Sequence, residues 1–435
     1  MHDRFGTLTR TFQIGAISAA NIGSTILFNW VVLVGLGPGV KTDALFAGMT
    51  IPQIFTWVIG ASLTQALAPL LAGEPKEEQL QDAWTLITSC TLLFAAVAAI
   101  LAGTAKWWVP WTVPGFTAEG KALATLFAQI GMFGIIFTGI NAIQTALAFA
   151  QGRFVWSDAA PTLASVMSLA LLVLLLPVYG AIAAAWMTVF RLLLQTLLLA
   201  RGMGPPCRPN FARPSVGLLW KRLKPLIAGA SYYKLDPLVD RFLVSALAPG
   251  SLSLLYLAQQ LHSAASQVIT KAWAIPAITR LAIAHKAGDS AQFGWVVRST
   301  ILAMTAAGGG GVLALLLVGK PVLAALMTHG QFQVSDSYTL WWILLLLSGL
   351  LVGGSIGAFT SGIFYSIGNT LTPTWIGSLS FTIAIFIKVA AFRLFALDGL
   401  AVAISFYYLM SLAMMLSALY RHGLLAGSEA PIGEA

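Results

Sequence analysis

Two consecutive apolar segments between Leu223 and Ile283 carry side chains that could act on a charged solute. The first segment holds two cations and two carboxylates, and the second holds two amides, an imidazole and an ammonium group. These residues are Lys234, Asp236, Asp240, Arg241, Gln259, Gln260, His262 and Lys271. Ionisable groups are expensive in hydrocarbon and usually face a helix-bundle interior or a wet cavity. We therefore expect the two segments to form one wall of a polar pathway.

The composition indicates which elements position these residues. Of the 435 residues, 58% are hydrophobic and 9% are charged, and the mean hydropathy is +0.85. A soluble protein would carry about 25% charged residues, whereas apolar runs of ~20 residues, long enough to span a bilayer, recur throughout this chain. The predicted fold class is an all-α polytopic membrane protein with about twelve transmembrane helices. The predicted spans are 11–36, 44–72, 83–103, 122–150, 157–178, 180–201, 223–247, 251–283, 293–318, 338–367, 372–395 and 398–420.

The longest polar connection, 202–222, is rich in proline and in basic residues. It divides the chain into a predicted N-terminal six-helix lobe, 1–201, and a C-terminal six-helix lobe, 223–420, followed by a tail, 421–435. Similar glycine and proline positions recur weakly in the two halves. Parallel repeats of this kind are typical of transporters whose lobes rock about a central site.

The formal net charge of +9 reflects basic residues in loops. Most of these loops fall on one side of the predicted topology, so the positive-inside rule places both termini in the cytoplasm. Membrane lipids are the expected surroundings, and no nucleic-acid partner is expected. The sequence predicts a multi-pass protein of a cytoplasmic (inner) membrane.

No motif of an enzyme or a metal site is found. The two cysteines, Cys90 and Cys207, cannot form a disulfide framework, and the histidines lack metal-ligand spacing. The run from Gly308 to Gly311 has no lysine after it, so close helix packing is favoured over a phosphate loop. We expect no catalytic residue, cofactor or metal.

Short motifs in order along the whole chain carry a family resemblance. They are the stretch from Gly37 to Phe46, Ile51-Pro52, the stretch from Gln65 to Pro69, the stretch from Asp240 to Ser245, the stretch from Gly250 to Ser253, Leu257-Ala258, the stretch from Thr328 to Phe332, Phe364-Tyr365-Ser366 and Thr372-Pro373. They resemble the MurJ/MviN-type lipid II flippases, which belong to the superfamily that includes MATE drug exporters and polysaccharide flippases. The resemblance implies a two-lobed carrier that moves a polyprenyl-pyrophosphate-linked saccharide to the outer leaflet.

The resemblance also marks two differences. The family commonly has fourteen helices, against twelve predicted here, and its cavity arginines on the first, second and eighth helices match uncharged positions in this chain. Those positions, with the two that match neighbouring acids, are Ile22, Phe28, Thr56, Trp57, Gln259, Gln260 and Ser263.

Lys234 and Lys271 are our candidates for anchoring the phosphate head group in place of those arginines, since phosphate is normally bound by cations. Arg241, Gln259, Gln260 and His262 are further candidates on the same wall, and Asn21, Asn29, Gln53 and Gln65 could hydrogen-bond the saccharide. The alternative is that the charged residues pair among themselves, and that the polar residues hold helices together.

The resemblance suggests a role for Lys388 as well. Some flippases of this family carry a sodium site between helices seven and eleven, and Lys388 falls near one of its helix-eleven ligands. Its predicted depth of ~12 Å from the outer end matches that of Asp240 better than that of Asp236. We expect Lys388 to pair with Asp240 and to act as a tethered substitute for the ion; the alternative is that Lys388 reaches outward to the interface.

The function predicted from these features is alternating-access flipping of a lipid-linked oligosaccharide, such as a peptidoglycan, exopolysaccharide or O-antigen precursor. One alternative is a MATE-type multidrug/cation antiporter, for which the excess of intramembrane cations over acids is unfavourable. Another is a non-transporting scaffold for cell-envelope enzymes. The expected partners are the lipid-linked saccharide and glycosyltransferases of envelope synthesis.

Overall fold

The computed structural model describes residues 2–72, 75–211, 217–219, 221, 223 and 231–424, without side-chain description at 2–12, 14 and 69. These residues form helices and no strand. Within them, nine helices are long and apolar enough to cross a membrane. The predicted all-α membrane fold is therefore confirmed.

The helix bounds follow the predicted spans closely. The helices are α1 (His2–Leu36), α2 (Val40–Gly48), α3 (Thr50–Leu71), α4 (Lys76–Thr112), α5 (Ala118–Ala150), α6 (Phe154–Tyr179), α7 (Ala181–Ala200), α8 (Asp236–Val244), α9 (Ser251–Ile269), α10 (Ile275–Ala287), α11 (Ser290–Met327), α12 (Val334–Leu346), α13 (Ser348–Ser366) and α14 (Leu371–Arg421). Three predicted spans are not among the nine membrane-length helices. The span 398–420 is the second half of α14, the span 223–247 contains α8, and the span 251–283 contains α9 and α10. In α14, Phe395 and Ala396 leave the helical conformation, which separates the two predicted helices there.

Three predicted helices are interrupted where a continuous one was expected, and one of them, 338–367, divides at Leu347 into α12 and α13. The span 251–283 divides into α9, a π-helical turn at Thr270–Ala274, and α10. Pro276 follows this turn, and a proline removes a backbone hydrogen bond and crowds the preceding turn. The span 44–72 likewise divides at Met49 into α2 and α3.

The seventh predicted span, 223–247, differs more from the structure. Residues 224–230 lie outside the described part, and the chain then forms a 3₁₀ turn at Tyr233–Leu235 before α8. Pro237 lies in the first turn of α8, where a missing N–H costs little. Lys234 therefore precedes the α-helix that carries Asp240 and Arg241, and it does not share an α-helical face with Arg241.

The chain divides into two compact units, Met1–Ser253 and Leu254–Ala435. In the first unit α5 packs against α2, α3, α4 and α7. At Gly48 of α2 an added Cβ would collide with the backbone oxygen of Ala124 of α5. The core beside α5 contains Leu63, Leu67, Phe94, Met132 and Ile143. The predicted lobes 1–201 and 223–420 remain a prediction. Part of the connection between them, 212–216, 220 and 222, and the tail beyond 424 lie outside the described residues.

In the second unit α13 packs against α14 through a stripe of small residues. A Cβ on Gly349 would lie 2.7 Å from the backbone oxygen of Ser405, and one on Gly353 would lie 2.7 Å from the carbonyl carbon of Tyr408. This is the small-xxx-small packing of membrane helices. The glycine run of α11 also faces α13 at Gly308, as the packing interpretation predicts, with a Cβ 3.4 Å from Val352.

Candidate functional site

The two lysines proposed to bind phosphate are both exposed on the isolated chain. Lys234 lies on the 3₁₀ turn before α8, with its Nζ 5.9 Å from the centre of the Tyr233 ring. Lys271 lies on the π-helical turn between α9 and α10. Within the described part of the chain neither ammonium group contacts a carboxylate. Both lysines therefore lie where regular α-helix is interrupted. π-helical turns in particular recur at functional sites.

The charged residues of α8 are buried instead. Asp236, Asp240 and Arg241 are 8%, 1% and 3% exposed. Asp236 and Asp240 are one turn apart, so the same face of α8 carries both carboxylates, as the spacing predicts. Buried charges need partners or metals, and all three of these residues have interaction partners in the protein.

Lys388 is fully buried in α14, in the second unit. Its Nζ lies 5.6 Å from the centre of the Tyr407 ring, a residue beyond the break in the same helix. A cation over the face of tyrosine is stabilised by the ring quadrupole. The predicted pairing of Lys388 with Asp240, which belongs to the first unit, remains a prediction.

Gln259, Gln260 and His262 share α9. The two amides are half-buried, while His262 is 4% exposed and its Nε2 lies 2.8 Å from the carbonyl oxygen of Leu344. That bond ties α9 to the end of α12. The geometry is that of a packed, hydrogen-bonded histidine.

The polar residues proposed on the first helices differ in exposure. Asn21 accepts a hydrogen bond from the Ser165 hydroxyl at 3.0 Å, so it joins α1 to α6. Asn29 is buried, Gln53 is half-buried and Gln65 is exposed. Of the four, Asn21 makes the interhelical contact that the packing alternative predicts.

Sequence reasoning missed a buried carboxylate in the first turn of α2. Asp43, 3% exposed, accepts the backbone N–H groups of Gly250 and Ser253, each at 2.7 Å, and the Ser253 hydroxyl. Gly250 has φ +97, and a Cβ there would lie 3.1 Å from Pro38, so a glycine is required. The signal was available, because Asp43 and Gly250 both lie in the motifs quoted for the family resemblance.

Asp43 therefore fastens the start of α9 to α2. A carboxylate at a helix N-terminus satisfies otherwise unpaired N–H groups and interacts favourably with the helix dipole. The positive charge of Arg241 also acts on this carboxylate.

Comparison with known proteins assigns the chain to a family. A family model for the lipid II flippase MurJ matches residues 34–430. The "probable lipid II flippase MurJ" of Vibrio cholerae is 26% identical over 420 residues, covering 89% of this chain and 78% of the relative. The protein of the same description from Bdellovibrio bacteriovorus is 24% identical over 426 residues, covering 92% and 80%.

Solved structures agree on the fold. A lipid II flippase MurJ in an inward closed conformation superposes with a TM-score of 0.82 at 18% identity, over 94% of this chain and 87% of that one. An inward-facing MATE multidrug transporter gives a TM-score of 0.74 at 15% identity, over 97% and 100%. Since the family model extends over most of the sequence, this chain belongs to the family of the lipid II flippase MurJ.

Proposed function

We propose that this protein is an alternating-access flippase that moves a polyprenyl-(pyro)phosphate-linked oligosaccharide from the inner to the outer leaflet of a bacterial cytoplasmic membrane. The observation that carries the proposal is the family match over residues 34–430, a family of transporters rather than enzymes. The MATE-like fold supports alternating access, but the sequence relatives favour a lipid-linked substrate over a drug.

The exposed lysines support an anionic ligand. Lys234 and Lys271 are cations in predicted spans, and among the described residues neither is neutralised by a carboxylate. An ammonium group without a carboxylate partner can bind a phosphate oxygen through a charge-assisted hydrogen bond. We assign both lysines to the phosphate head group, with Arg241, Gln259 and Gln260 as further contacts.

The orientation and the partners follow from the same proposal. With both termini in the cytoplasm, the basic loops face the leaflet where lipid-linked precursors are made. The enzymes that supply such a substrate are glycosyltransferases, which are the expected neighbours in the membrane.

Transport in reconstituted vesicles tests the function. Proteoliposomes containing purified protein and a polyprenyl-pyrophosphate-linked saccharide should expose the saccharide to an impermeant enzyme on the far side, faster than protein-free vesicles do. Proton-driven exchange of a cationic dye, without saccharide movement, would instead establish the antiporter alternative.

A further inference from the structure

A small, open cavity lies in the first unit, between α3, α5 and α7. Its volume is about 180 Å³. That volume corresponds to about six water molecules at ~30 Å³ each, and it is below the ~300 Å³ of pockets for drug-sized ligands. Gly60 and Ala142 line this space and, with little or no side chain, leave it open. A Cβ added to Gly60 would lie 3.4 Å from the Thr138 methyl group. The cavity can therefore hold a single ring but not a whole lipid-linked molecule.

The lining carries no charge and combines polar with apolar surface. Hydroxyl and amide groups enter from all three helices: Thr56, Thr64, Thr138, Asn141, Thr145 and Gln195. A phosphate normally requires arginine or lysine, and an organic cation would require a carboxylate or an aromatic face. The lining suits a neutral ligand that both donates and accepts hydrogen bonds.

Part of this lining is held in place by the protein. The hydroxyl oxygens of Thr56 and Thr138 lie 3.1 Å apart across α3 and α5. The Asn141 side chain accepts a hydrogen bond from Thr196 at 2.8 Å and donates one to the Leu192 carbonyl at 3.1 Å. These contacts fix the amide plane, and such preorganised groups lower the entropy cost of binding.

Other polar groups of the lining lack a protein partner. In the described part of the chain, neither the Thr145 hydroxyl nor the Gln195 amide makes a hydrogen bond, although both residues are half-buried within membrane-length helices. Polar groups in such surroundings cost free energy unless they find a partner. Both groups are therefore available to hydrogen-bond a ligand or water in the cavity.

We propose that this cavity binds one uncharged sugar ring bearing hydroxyl and amide groups. The inference rests on the proposed function, because the ring is then part of the saccharide carried by the lipid-linked substrate. The cavity would distinguish glycosylated lipids from bare polyprenyl phosphates, while the lysines bind the phosphate that both share.

Binding of a free sugar tests this cavity independently of transport. N-acetylglucosamine is the uncharged probe, and its effect on the melting temperature of the purified protein is the measurement. It should raise the melting temperature of the wild type, and glucosamine, which is cationic, should not. The rise should be lost in Thr145→Val and Gln195→Leu. It should be retained in Thr125→Val, which removes a hydroxyl of α5 outside the cavity.

Equal responses of the wild type and both cavity variants, including no response in any of them, would overturn the proposal. Transport separates this outcome from failure of the function itself. A wild type that flips the lipid-linked saccharide but ignores the probe disproves the sugar cavity alone, whereas a wild type without transport disproves the proposed function.

Discussion

At the residue scale, the exposed lysines are the most direct test of the substrate's charge. Because a hydrogen bond to a charged group contributes about 1.5–3 kcal/mol, Lys234→Gln and Lys271→Gln should each lower flipping about tenfold or more at sub-saturating substrate. Lys286→Gln, which removes an exposed lysine at the end of α10, is the control. Wild-type rates in both variants would show that the head group binds elsewhere.

Lys388 carries a prediction about ions. It is fully buried in α14, and Asp240 is 1% exposed in α8. If the ammonium group substitutes for a coupling ion, the wild type should transport equally fast and melt at the same temperature in sodium and in choline buffers. Lys388→Gln should melt lower in both buffers, because removing one partner of a buried pair costs about 3–5 kcal/mol. A sodium-dependent rate in the wild type would contradict this role.

Asp43 should matter for stability. Its carboxylate accepts two backbone N–H groups and a hydroxyl at the start of α9. An amide in its place would turn a donor toward one of these N–H groups, so Asp43→Asn should lower the unfolding free energy by about 2 kcal/mol, measured by thermal melting.

A matched control for Asp43 is available on α11. Asp289 is an exposed N-cap residue that accepts the Gln292 N–H at 2.8 Å. Asn and Asp cap helices almost equally well, so Asp289→Asn should leave the melting temperature nearly unchanged. Equal losses of stability in Asp43→Asn and Asp289→Asn would mean that the buried hydrogen bonds of Asp43 contribute no more than an exposed helix cap does.

At the element scale, the spacing of helices is set by glycine. Three glycines recur every four residues on α13, but only Gly349 and Gly353 contact the α14 backbone, and Gly357 has nothing within 4 Å of an added Cβ. Gly353→Ala should force α13 and α14 apart and destabilise the protein by about 1–3 kcal/mol. Gly357→Ala should instead stabilise it by about 0.5–1 kcal/mol, since alanine favours a helix.

If Gly349 and Gly353 form the contact with α14, the melting temperature should fall in Gly353→Ala and rise in Gly357→Ala. A loss of stability in both variants would mean that every glycine on this face is equally required, and the contact through Gly349 and Gly353 would then have no particular importance.

At the scale of the whole molecule, the native cysteines can report the orientation. Cys90 is buried and Cys207 is half-exposed in the basic connection. In Cys90→Ser protein, an impermeant maleimide should label Cys207 only after the cells are permeabilised. In protein lacking both cysteines, Lys106→Cys should react in intact cells, because Lys106 is exposed near the end of α4 that the predicted topology places outside the cell. The reverse pattern would invert the topology.

Sequence alone determined the membrane class and nearly every helix, because a bilayer demands an apolar run of about 20 residues and such runs are visible in any window. The family was also readable, since the motifs from Gly37 to Pro373 occur in order. The interruptions beside Pro237 and Pro276 were less accessible, because a proline can start a helix, bend it or induce a π turn, and the packing around it selects among these.

Only the tertiary structure decided which polar groups meet. Asp43 and Ser253 are far apart in the chain, and so are Thr56 and Thr138, yet each pair is in contact. Periodicity states which face of a helix a residue occupies, but it does not identify the opposite helix. For that reason the sequence predicted a charged wall from Lys234 to Lys271, whereas the hydrogen bonds of the Asp43 carboxylate and the neutral cavity became visible only after the helices had packed.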